Sequence, residues 1–332
     1  MTREFCTLFD SNYAFKAIAM HGSLVEHCPD FHLTAFCFDD KAKRLIDKLK
    51  LPRMSTVGLA ELEAFDAELL SVKHDRSPVE YCWTATPALP LYIFANRPGV
   101  QEVTYLDADL LFFADPEPLF AEMGDSSVLI TPHRFADEYK QHEASGIYNV
   151  QFLVFRRDER GMEALNWWHD RCIEWCYYRL EDGKLGDQKY LDDWPERFEG
   201  VHVLEHKGGG LAPWNITGYH VRREDGTVMV DDEQLVFFHY HRVRLAESGR
   251  HAWQPPGYVI SETNRELVYD PYLRTVDRAV AAVKRVDESF KAGLEPPLPT
   301  RERLRRARIA LAQRVVTRVP ALGRLSARLR AG

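Results

Sequence analysis

A strand-like apolar run that ends in two aspartates constrains this sequence more than any other feature. The run, Val103–Leu106, is followed by Asp107 and Asp109, and apolar residues resume at Leu110. In open α/β sheets, ligands bind outside the carboxyl ends of the strands, and residues two apart on an extended segment point the same way. Two carboxylates on one side of a strand end repel each other, so a hard divalent cation is the expected partner. An aspartate after a strand is also a common helix cap or turn former, and that alternative stays open for the pair.

Strand-like and helix-like patterns alternate along the first half of the chain. Residues 4–9 and 31–40 are typical of strands, and residues 14–26 and 41–50 have apolar side chains at helical spacing. This alternation predicts an α/β fold with a mostly parallel sheet. Further strands are predicted at 126–133, 147–158, 201–206 and 235–241, and a long helix is predicted at 161–179.

The length and composition are those of a globular protein. The chain has 332 residues, of which 45% are hydrophobic and 28% charged, and no run of about 18 apolar residues occurs in it. The first residues lack the apolar core of a signal peptide, so we expect a cytoplasmic protein. Six cysteines occur without a C-x-x-C pair, which argues against a zinc ribbon or a thioredoxin-like site. We expect one domain over residues 1–260, a helical extension over 261–300 and a tail over 301–332.

Positive charge is concentrated in this tail. Residues 301–332 hold ten arginines and one acid, a net charge of +9, so the net charge of −7 for the whole chain leaves −16 for residues 1–300. Leucines and valines lie among the arginines, and a basic amphipathic segment can lie on an anionic membrane surface. We therefore expect peripheral contact with the inner face of the plasma membrane. A disordered tail or a partner-binding helix is the alternative, and the acidic body argues against nucleic-acid binding.

Two segments carry a resemblance to a known family. The stretch VTYLDADLLFFADPEPLF, with its apolar entry and exit and its turn into a short helix, resembles the D-x-D region of glycosyltransferases with the GT-A fold. FDSNYAFKAIAMHGSL resembles the start of the family 8 glycosyltransferases, the group of bacterial lipooligosaccharide galactosyltransferases and glycogenin. The resemblance spans about residues 4–245. It implies a GT-A fold, which is a Rossmann-like mixed sheet flanked by helices, and a nucleotide-sugar donor.

The resemblance also implies a metal site. Asp107 and Asp109 would hold Mn²⁺ or Mg²⁺ against the two phosphates of the donor, with a histidine from a late strand as third ligand. His239 and His241 follow four apolar residues and suit the family order, whereas His206 is an alternative that lies closer in sequence to the residues expected at the sugar. A histidine with two carboxylates suits Mn²⁺.

Further residues are expected to contact the donor. The resemblance places Asp10 and Asn12 at the uracil and ribose, Asn149 and Gln151 along the sugar site, and Asp187 and Gln188 beside the anomeric carbon, while Trp214 and Asn215 could hold a sugar face and its hydroxyls. Structural alternatives stay open: Asp10 and Asp187 could cap helices, and Trp214 could pack in the core. The glycine-rich loop before Trp214 could let the backbone approach phosphate or sugar.

The sequence departs from the family pattern at the phosphate-binding cations. The arginine expected shortly before the D-x-D strand is missing, and Lys73 or Arg76 could replace it. The lysine expected after the late histidine has no clear counterpart, and Arg242 and Arg244 are candidates. The chain therefore resembles a relative of family 8 rather than a typical member.

The resemblance implies a metal-dependent glycosyltransferase that moves a sugar from a nucleotide-sugar, expected to be a UDP-sugar, to a hydroxyl of a glycan or a lipid-linked glycan. Retention at the anomeric carbon is implied by the family; inversion would need a carboxylate base, for which Asp192 and Asp193 are near in sequence. A sugar nucleotidyltransferase is one alternative, although FDSNYAFKA is not the glycine-rich loop such enzymes carry after the first strand. A catalytically degenerate nucleotide-sugar-binding protein is the other, and the intact set of candidate residues argues against it.

Overall fold

The computed structural model describes residues 2–297. The strands within these residues are β1 (Arg3–Phe9), β2 (Phe31–Cys37), β3 (Met54–Gly58), β4 (Glu102–Leu106), β5 (Leu110–Phe112), β6 (Val128–Pro132), β7 (Tyr148–Arg156), β8 (Val201–Val203), β9 (Val221–Glu224), β10 (Thr227–Val230), β11 (Glu233–Gln234), β12 (Phe237–His239), β13 (Leu245–Ala246) and β14 (Leu294–Glu295). The α-helices are α1 (Ala14–His27), α2 (Asp40–Leu49), α3 (Leu59–Phe65), α4 (Ala67–Val72), α5 (Pro78–Ala85), α6 (Ala88–Asn96), α7 (Glu117–Met123), α8 (Glu159–Glu174), α9 (Trp194–Arg197), α10 (Glu262–Asn264) and α11 (Asp270–Val286). In this part of the chain, no helix has the length and apolar character needed to cross a membrane.

The central sheet has seven strands within the described residues, in the order β3-β2-β1-β4-β7-β6-β8. Strands β3, β2, β1 and β4 run parallel, β7 is antiparallel to both of its neighbours, and β8 is parallel to β6. The predicted α/β fold with a mixed, mostly parallel sheet is confirmed. The carboxyl ends of β1, β2 and β4 meet at one edge, where the loops after Phe9, Cys37 and Leu106 lie together.

Helices cover both faces of the sheet because adjacent strand residues point to opposite sides. On β1, Phe9 packs with Phe15 of α1 and Val276 of α11, whereas Cys6 packs with Leu89 of α6 and other residues of α3, α5 and α8. These clusters exclude water from both faces and supply the main stabilisation of the fold.

A small pair of strands extends the sheet edge that carries the site. β5 pairs antiparallel with β12, and His239, the last residue of β12, is opposite Leu110. The segment that joins β4 to β5 therefore lies directly beside the end of β12.

The carboxyl ends of β1 and β2 are linked by one aspartate. Asp39 caps α2 by accepting a hydrogen bond from Ala42 N at 2.7 Å, and its second carboxylate oxygen accepts one from Ser11 N at 2.7 Å. This bond fixes the loop after β1, which leads into α1.

The last described residues pack on α1. Val276 and Val283 of α11 are buried, and the Phe290 ring lies 5.5 Å from the Phe15 ring in an edge-on arrangement. The basic segment 301–332, with its expected membrane contact, lies outside the described residues.

Candidate functional site

The two aspartates of the D-x-D segment are fixed through their backbone. Asp107 N donates a hydrogen bond to the carbonyl of Gln151 at 3.0 Å, and the carbonyl of Asp109 accepts one from Tyr240 N at 2.9 Å. The segment is thus held between β7 and the end of β12. The Tyr105 hydroxyl donates to Asp107 Oδ1 at 2.9 Å, because residues two apart on a strand share one side.

His239 completes a group of three ligand-type side chains. Its Nε2 lies 3.1 Å from Asp109 Oδ1 and 3.7 Å from Asp107 Oδ2, and the side chain is buried. The ligand atoms of the three residues all lie within 4.8 Å of one another. Ligands that share an ion in octahedral geometry at about 2.1 Å stand about 3 Å apart, so this spacing suits one divalent cation.

The two other histidines considered as ligands lie outside this group. The His241 ring is 5.9 Å from the His239 ring and packs edge-on against Trp214. His206 Nδ1 accepts a hydrogen bond from Gly208 N at 3.0 Å and lies 3.8 Å from Glu233.

Burial and mutual charge set the protonation of the cluster. Burial raises the pKa of Asp107 more than the neighbouring His239 lowers it. Burial also acts to raise the pKa of Asp109, but Lys16 and His239 outweigh it and hold the pKa of that carboxyl far below its ordinary value. Burial acts to lower the pKa of His239, and Asp109 reverses this and raises it. Asp109 is therefore ionised, and cationic groups face it from two sides.

Lys16 is one of these cationic groups, and sequence reasoning missed it. Its Nζ lies 3.3 Å from Asp109 Oδ2 and its side chain is 7% exposed. The indication in the sequence was a single charged residue inside the apolar stretch Ala14–Met20 at the start of α1.

The loop after β1 forms a compact turn around Asp10. Asp10 Oδ1 accepts hydrogen bonds from the backbone nitrogens of Asn12 (2.9 Å) and Tyr13 (3.3 Å), and Oδ2 accepts one from Asn12 Nδ2 at 2.8 Å. Asp10 therefore organises the start of α1, while Asn12 is exposed at the sheet edge.

Asp187 and Gln188 lie beside Asn149 of β7. The Gln188 side-chain oxygen accepts a hydrogen bond from Asn149 Nδ2 at 2.8 Å, and the Asp187 carbonyl accepts one from Trp168 Nε1 at 2.9 Å. The Asp187 carboxyl is buried, and burial together with the charge of Asp107 raises its pKa to about 7.

Several buried polar atoms around this site lack a partner among the described residues. They are both amide atoms of Gln151, Oδ2 of Asp187, and the Nδ1 atoms of His133 and His239. His133 was also missed by sequence reasoning; its Nε2 lies 3.1 Å from Asn149 Nδ2, its ring stacks on Phe135, and burial lowers its pKa to about 3. Buried polar groups are nearly always hydrogen-bonded in native proteins, so these atoms are available to bond to water or to a polar ligand.

The side chains of Trp214 and Asn215 form hydrogen bonds to neighbouring backbone carbonyls. Trp214 Nε1 donates to the carbonyl of His133 at 3.0 Å, and the Asn215 amide donates to the carbonyls of His133 (2.8 Å) and Gly210 (3.0 Å) while accepting from Ala212 N. Both side chains hold the loop in place, in line with the core-packing alternative for Trp214.

The preceding glycines are likewise set by packing. A Cβ at Gly208 would stand 1.8 Å from the carbonyl oxygen of Gln234, so the close approach of two backbones requires glycine there.

Three of the four cations proposed from sequence as phosphate ligands have other partners. Lys73 Nζ pairs with Glu63 at 2.5 Å, Arg76 donates to the carbonyl of Ile173 at 3.0 Å, and Arg244 pairs with Glu295 at 3.1 Å. Arg242 lies in a turn with a φ of 61°.

A second histidine and carboxylate group occurs in the described part of the chain, formed by Glu68, His169 and Asp170. Glu68 and Asp170 are exposed, and His169 Nε2 lies 2.7 Å from Asp66 Oδ2. This histidine therefore already has a carboxylate partner outside the group.

Two proteins of Bacillus subtilis are similar to this chain in sequence. No family model matches the sequence. The uncharacterized protein YfnD of Bacillus subtilis is 32% identical over 298 residues, which cover 89% of this chain and 95% of YfnD. The chain belongs to the family of YfnD. Its relative YfnF, from the same organism, is 30% identical over 298 residues, which cover 87% of this chain and 97% of YfnF.

Two solved structures show the fold of this YfnD family member. The galactosyltransferase LgtC, in complex with donor and acceptor sugar analogs, aligns with a TM-score of 0.50 and 16% identity over 90% of this chain and 99% of LgtC. An active-site mutant of LgtC aligns with a TM-score of 0.53 and 15% identity over 88% of this chain and the whole of that chain. The expected GT-A fold, like that of the family 8 galactosyltransferases, is confirmed.

Proposed function

We propose that this protein is a metal-dependent glycosyltransferase that uses a nucleotide-sugar, expected to be a UDP-sugar. The observation that carries the proposal is the convergence of Asp107, Asp109 and His239 at the carboxyl edge of the sheet of a GT-A fold. This is the edge at which open α/β sheets bind ligands.

The residues present fit a divalent cation such as Mn²⁺ or Mg²⁺. Asp107, Asp109 and His239 would hold it, with one nitrogen and two or more oxygens facing a common point. When bound, a divalent cation supplies positive charge against the diphosphate that leaves in glycosyl transfer. The protein positions these ligands through Tyr105 and through the backbone bonds of the D-x-D segment.

The unpaired polar atoms support a sugar site next to this cluster. Gln151 offers both an amide donor and an acceptor, and Asp187 offers a free carboxylate oxygen. Sugar hydroxyls donate and accept hydrogen bonds, so they would satisfy both groups. Asn149 holds the Gln188 amide in a fixed orientation, which leaves the second lone pair of the Gln188 oxygen for the anomeric region.

The loop after β1 supports a nucleoside site. Asp10 fixes the turn, and Asn12 presents its side chain at the edge of the sheet. Asn12 would contact the base or ribose, and Asp10 would hold it in position.

We propose transfer with retention of anomeric configuration. Asp192 accepts hydrogen bonds from Ile147 N at 2.7 Å and Lys189 Nζ at 2.6 Å, and Asp193 is bonded to Arg197 at 3.0 Å. The two carboxylates considered as bases for inversion thus have partners of their own.

The acceptor is proposed to be a glycan or a lipid-linked glycan. The ten arginines of residues 301–332 support contact with an anionic membrane surface, where lipid-linked acceptors reside. Co-sedimentation with anionic vesicles should fall when residues 301–332 are deleted; unchanged co-sedimentation would contradict this contact.

The activity is tested by incubating the protein with UDP-sugars and Mn²⁺ and measuring UDP release. Metal-dependent release that is lost in Asp109→Asn would support the transferase. Binding of a UDP-sugar without release or transfer would favour the degenerate binding protein, and formation of a nucleotide-sugar from a nucleoside triphosphate and a sugar phosphate would favour the nucleotidyltransferase.

A further inference from the structure

Lys16 occupies an unfavourable position for a lysine. It lies in the first turn of α1, where the helix dipole disfavours positive charge, and it is surrounded in sequence by the buried residues Phe15, Ala17 and Ile18. Its side chain is 7% exposed. A lysine that is buried at a helix N-terminus needs a compensating partner, and Asp109 supplies it.

The two oxygens of Asp109 face different cationic groups. Oδ1 lies 3.1 Å from His239 Nε2, and Oδ2 lies 3.3 Å from Lys16 Nζ. The ammonium therefore bonds to the oxygen of Asp109 other than the one that faces His239.

The ammonium also touches the loop after β1. Lys16 Nζ lies 4.2 Å from the centre of the Tyr13 ring, and Tyr13 directly follows Asn12 of the proposed nucleoside site. Lys16 thus stands between the nucleoside loop and the metal ligands. In a nucleoside diphosphate, the phosphates connect these two points.

The ammonium of a lysine has three hydrogen-bond donors. Among the described residues, the ammonium of Lys16 donates to one side-chain acceptor, Asp109. Of the four cations proposed from sequence for the phosphates, Lys73, Arg76 and Arg244 have other partners. Lys16, by contrast, lies in contact with a candidate metal ligand.

We propose that Lys16 is a cationic group of the donor site that contacts the diphosphate. This rests on the proposed function. In the free protein, Asp109 holds the ammonium in place; in the complex, its remaining donors bond to phosphate oxygens. Because the ammonium acts as a point charge on a flexible stem, its remaining donors can reach phosphate without movement of α1.

The test is calorimetric titration of UDP and of uridine into the full chain in the presence of a chelator, for wild type, Lys16→Met and Lys16→Arg. Lys43→Met is the matched control, because Lys43 forms an ion pair with Asp47 on α2. We expect Lys16→Met to weaken UDP binding by roughly 10- to 100-fold, the size of a lost charge-assisted hydrogen bond, with uridine binding unchanged. Lys16→Arg should restore part of the loss, and Lys43→Met should behave as wild type.

A titration of Mn²⁺ alone separates a phosphate contact from a positioning role. Lys16→Met should bind Mn²⁺ at least as tightly as wild type, because the carboxylate of Asp109 no longer shares its charge with the ammonium. Equal losses for UDP and uridine, unchanged UDP binding, or a fall in Mn²⁺ affinity would overturn the proposal.

Lys16→Gln and the melting temperature of each variant guard against misfolding. A folded Lys16→Gln variant that retains wild-type UDP affinity would overturn the proposal even if Lys16→Met does not fold. Wild-type protein that binds no nucleotide with or without Mn²⁺ would overturn the proposed function together with this inference, whereas Mn²⁺-dependent UDP binding that is indifferent to Lys16 would overturn this inference alone.

Discussion

His169 and His239 are both buried beside an aspartate, and their surroundings differ. His169 Nε2 lies 2.7 Å from Asp66 Oδ2, and the other oxygen of Asp66 accepts from Leu69 N at 2.9 Å to cap α4. His239 faces Asp107 and Asp109, and its Nδ1 has no hydrogen-bond partner within residues 2–297.

The difference between the two clusters distinguishes a structural role from a binding role. The first cluster joins α4 to α8 and leaves none of its side-chain atoms buried without a partner in the described chain. The second leaves unpaired atoms on His239 itself and on nearby Gln151 and Asp187. Unpaired buried groups are unfavourable in the free protein, and a bound metal and sugar would satisfy them.

The largest expected effect is that of Asp109→Asn on activity. The variant removes the negative charge of a proposed metal ligand, so turnover should fall by at least about 100-fold. The measurement is Mn²⁺-dependent UDP release from a UDP-sugar, with circular dichroism to show that the fold is intact. A variant that turns over at the wild-type rate would show that the D-x-D segment does not hold the metal.

Asp66→Asn should give the opposite pattern. It removes a charged partner of His169 and weakens the cap of α4, so the free energy of unfolding should fall by about 2 kcal/mol. Turnover per folded molecule should stay at the wild-type level. Denaturant unfolding and UDP release measure the two quantities, and a loss of turnover in the folded variant would remove the contrast between the clusters.

Gln151→Leu sharpens the comparison at a single unpaired side chain. Replacing a buried amide that has no partner by an apolar group of similar size should raise the free energy of unfolding by about 1 kcal/mol. Affinity for the UDP-sugar should fall by about tenfold, while affinity for UDP should not change, because the proposed contact is to the sugar.

Asn215→Leu is the matched control for that variant. Asn215 is also a buried amide, but its hydrogen bonds to His133, Gly210 and Ala212 are all made, so this substitution should destabilise the protein. Destabilisation of similar size in both variants would contradict the assignment of Gln151 to a ligand.

The smallest expected effect is the pH dependence of the His169–Asp66 pair. Burial acts to lower the pKa of His169, but Asp66 outweighs burial and raises this pKa above the ordinary 6.5. The stability that protonated His169 contributes is therefore complete below pH 6.5 and is lost as pH rises through the raised pKa. Burial acts to raise the pKa of Asp66, but His169 and Leu69 N outweigh burial and lower this pKa below the ordinary 3.8. The stability that ionised Asp66 contributes is therefore complete above pH 3.8 and is lost as pH falls through the lowered pKa.

The His169–Asp66 pair should therefore stabilise the fold most between pH 3.8 and pH 6.5, the ordinary pKa values of the two side chains. The difference in unfolding free energy between wild type and His169→Ala should be largest near about pH 5 and should shrink by up to about 1 kcal/mol at pH 8. Denaturant unfolding at both pH values measures this change, and a difference that grows toward pH 8 would contradict it.

The sheet and its acidic edge could be predicted from the sequence because both depend on the spacing of apolar and polar residues over short stretches. The apolar run of β4 and the alternation in β1 and β2 are visible within a few residues. An aspartate at the carboxyl end of a strand in an open α/β sheet lies at the edge where ligands bind. The resemblance of the D-x-D and FDSNY segments then indicated the fold.

The partners of these residues could not be predicted in the same way. Lys16 and Asp109 are 93 residues apart, and their contact depends on how α1 packs against β5. The choice between His239 and His241 depends on where β12 ends, since residues two apart would share a side only if the strand continued. The close approach of Gly208 to the carbonyl of Gln234 likewise depends on two segments that are distant in sequence.

The most direct test of the account is calorimetric titration of UDP into the protein with and without Mn²⁺, beside GDP and CDP and beside Asp109→Asn. We predict UDP binding that is strengthened by Mn²⁺ in the wild type and insensitive to Mn²⁺ in the variant. Binding of another nucleotide in place of UDP would keep the metal site and change the donor. No nucleotide binding under any condition would mean that Asp107, Asp109 and His239 are structural and that the proposed activity is wrong.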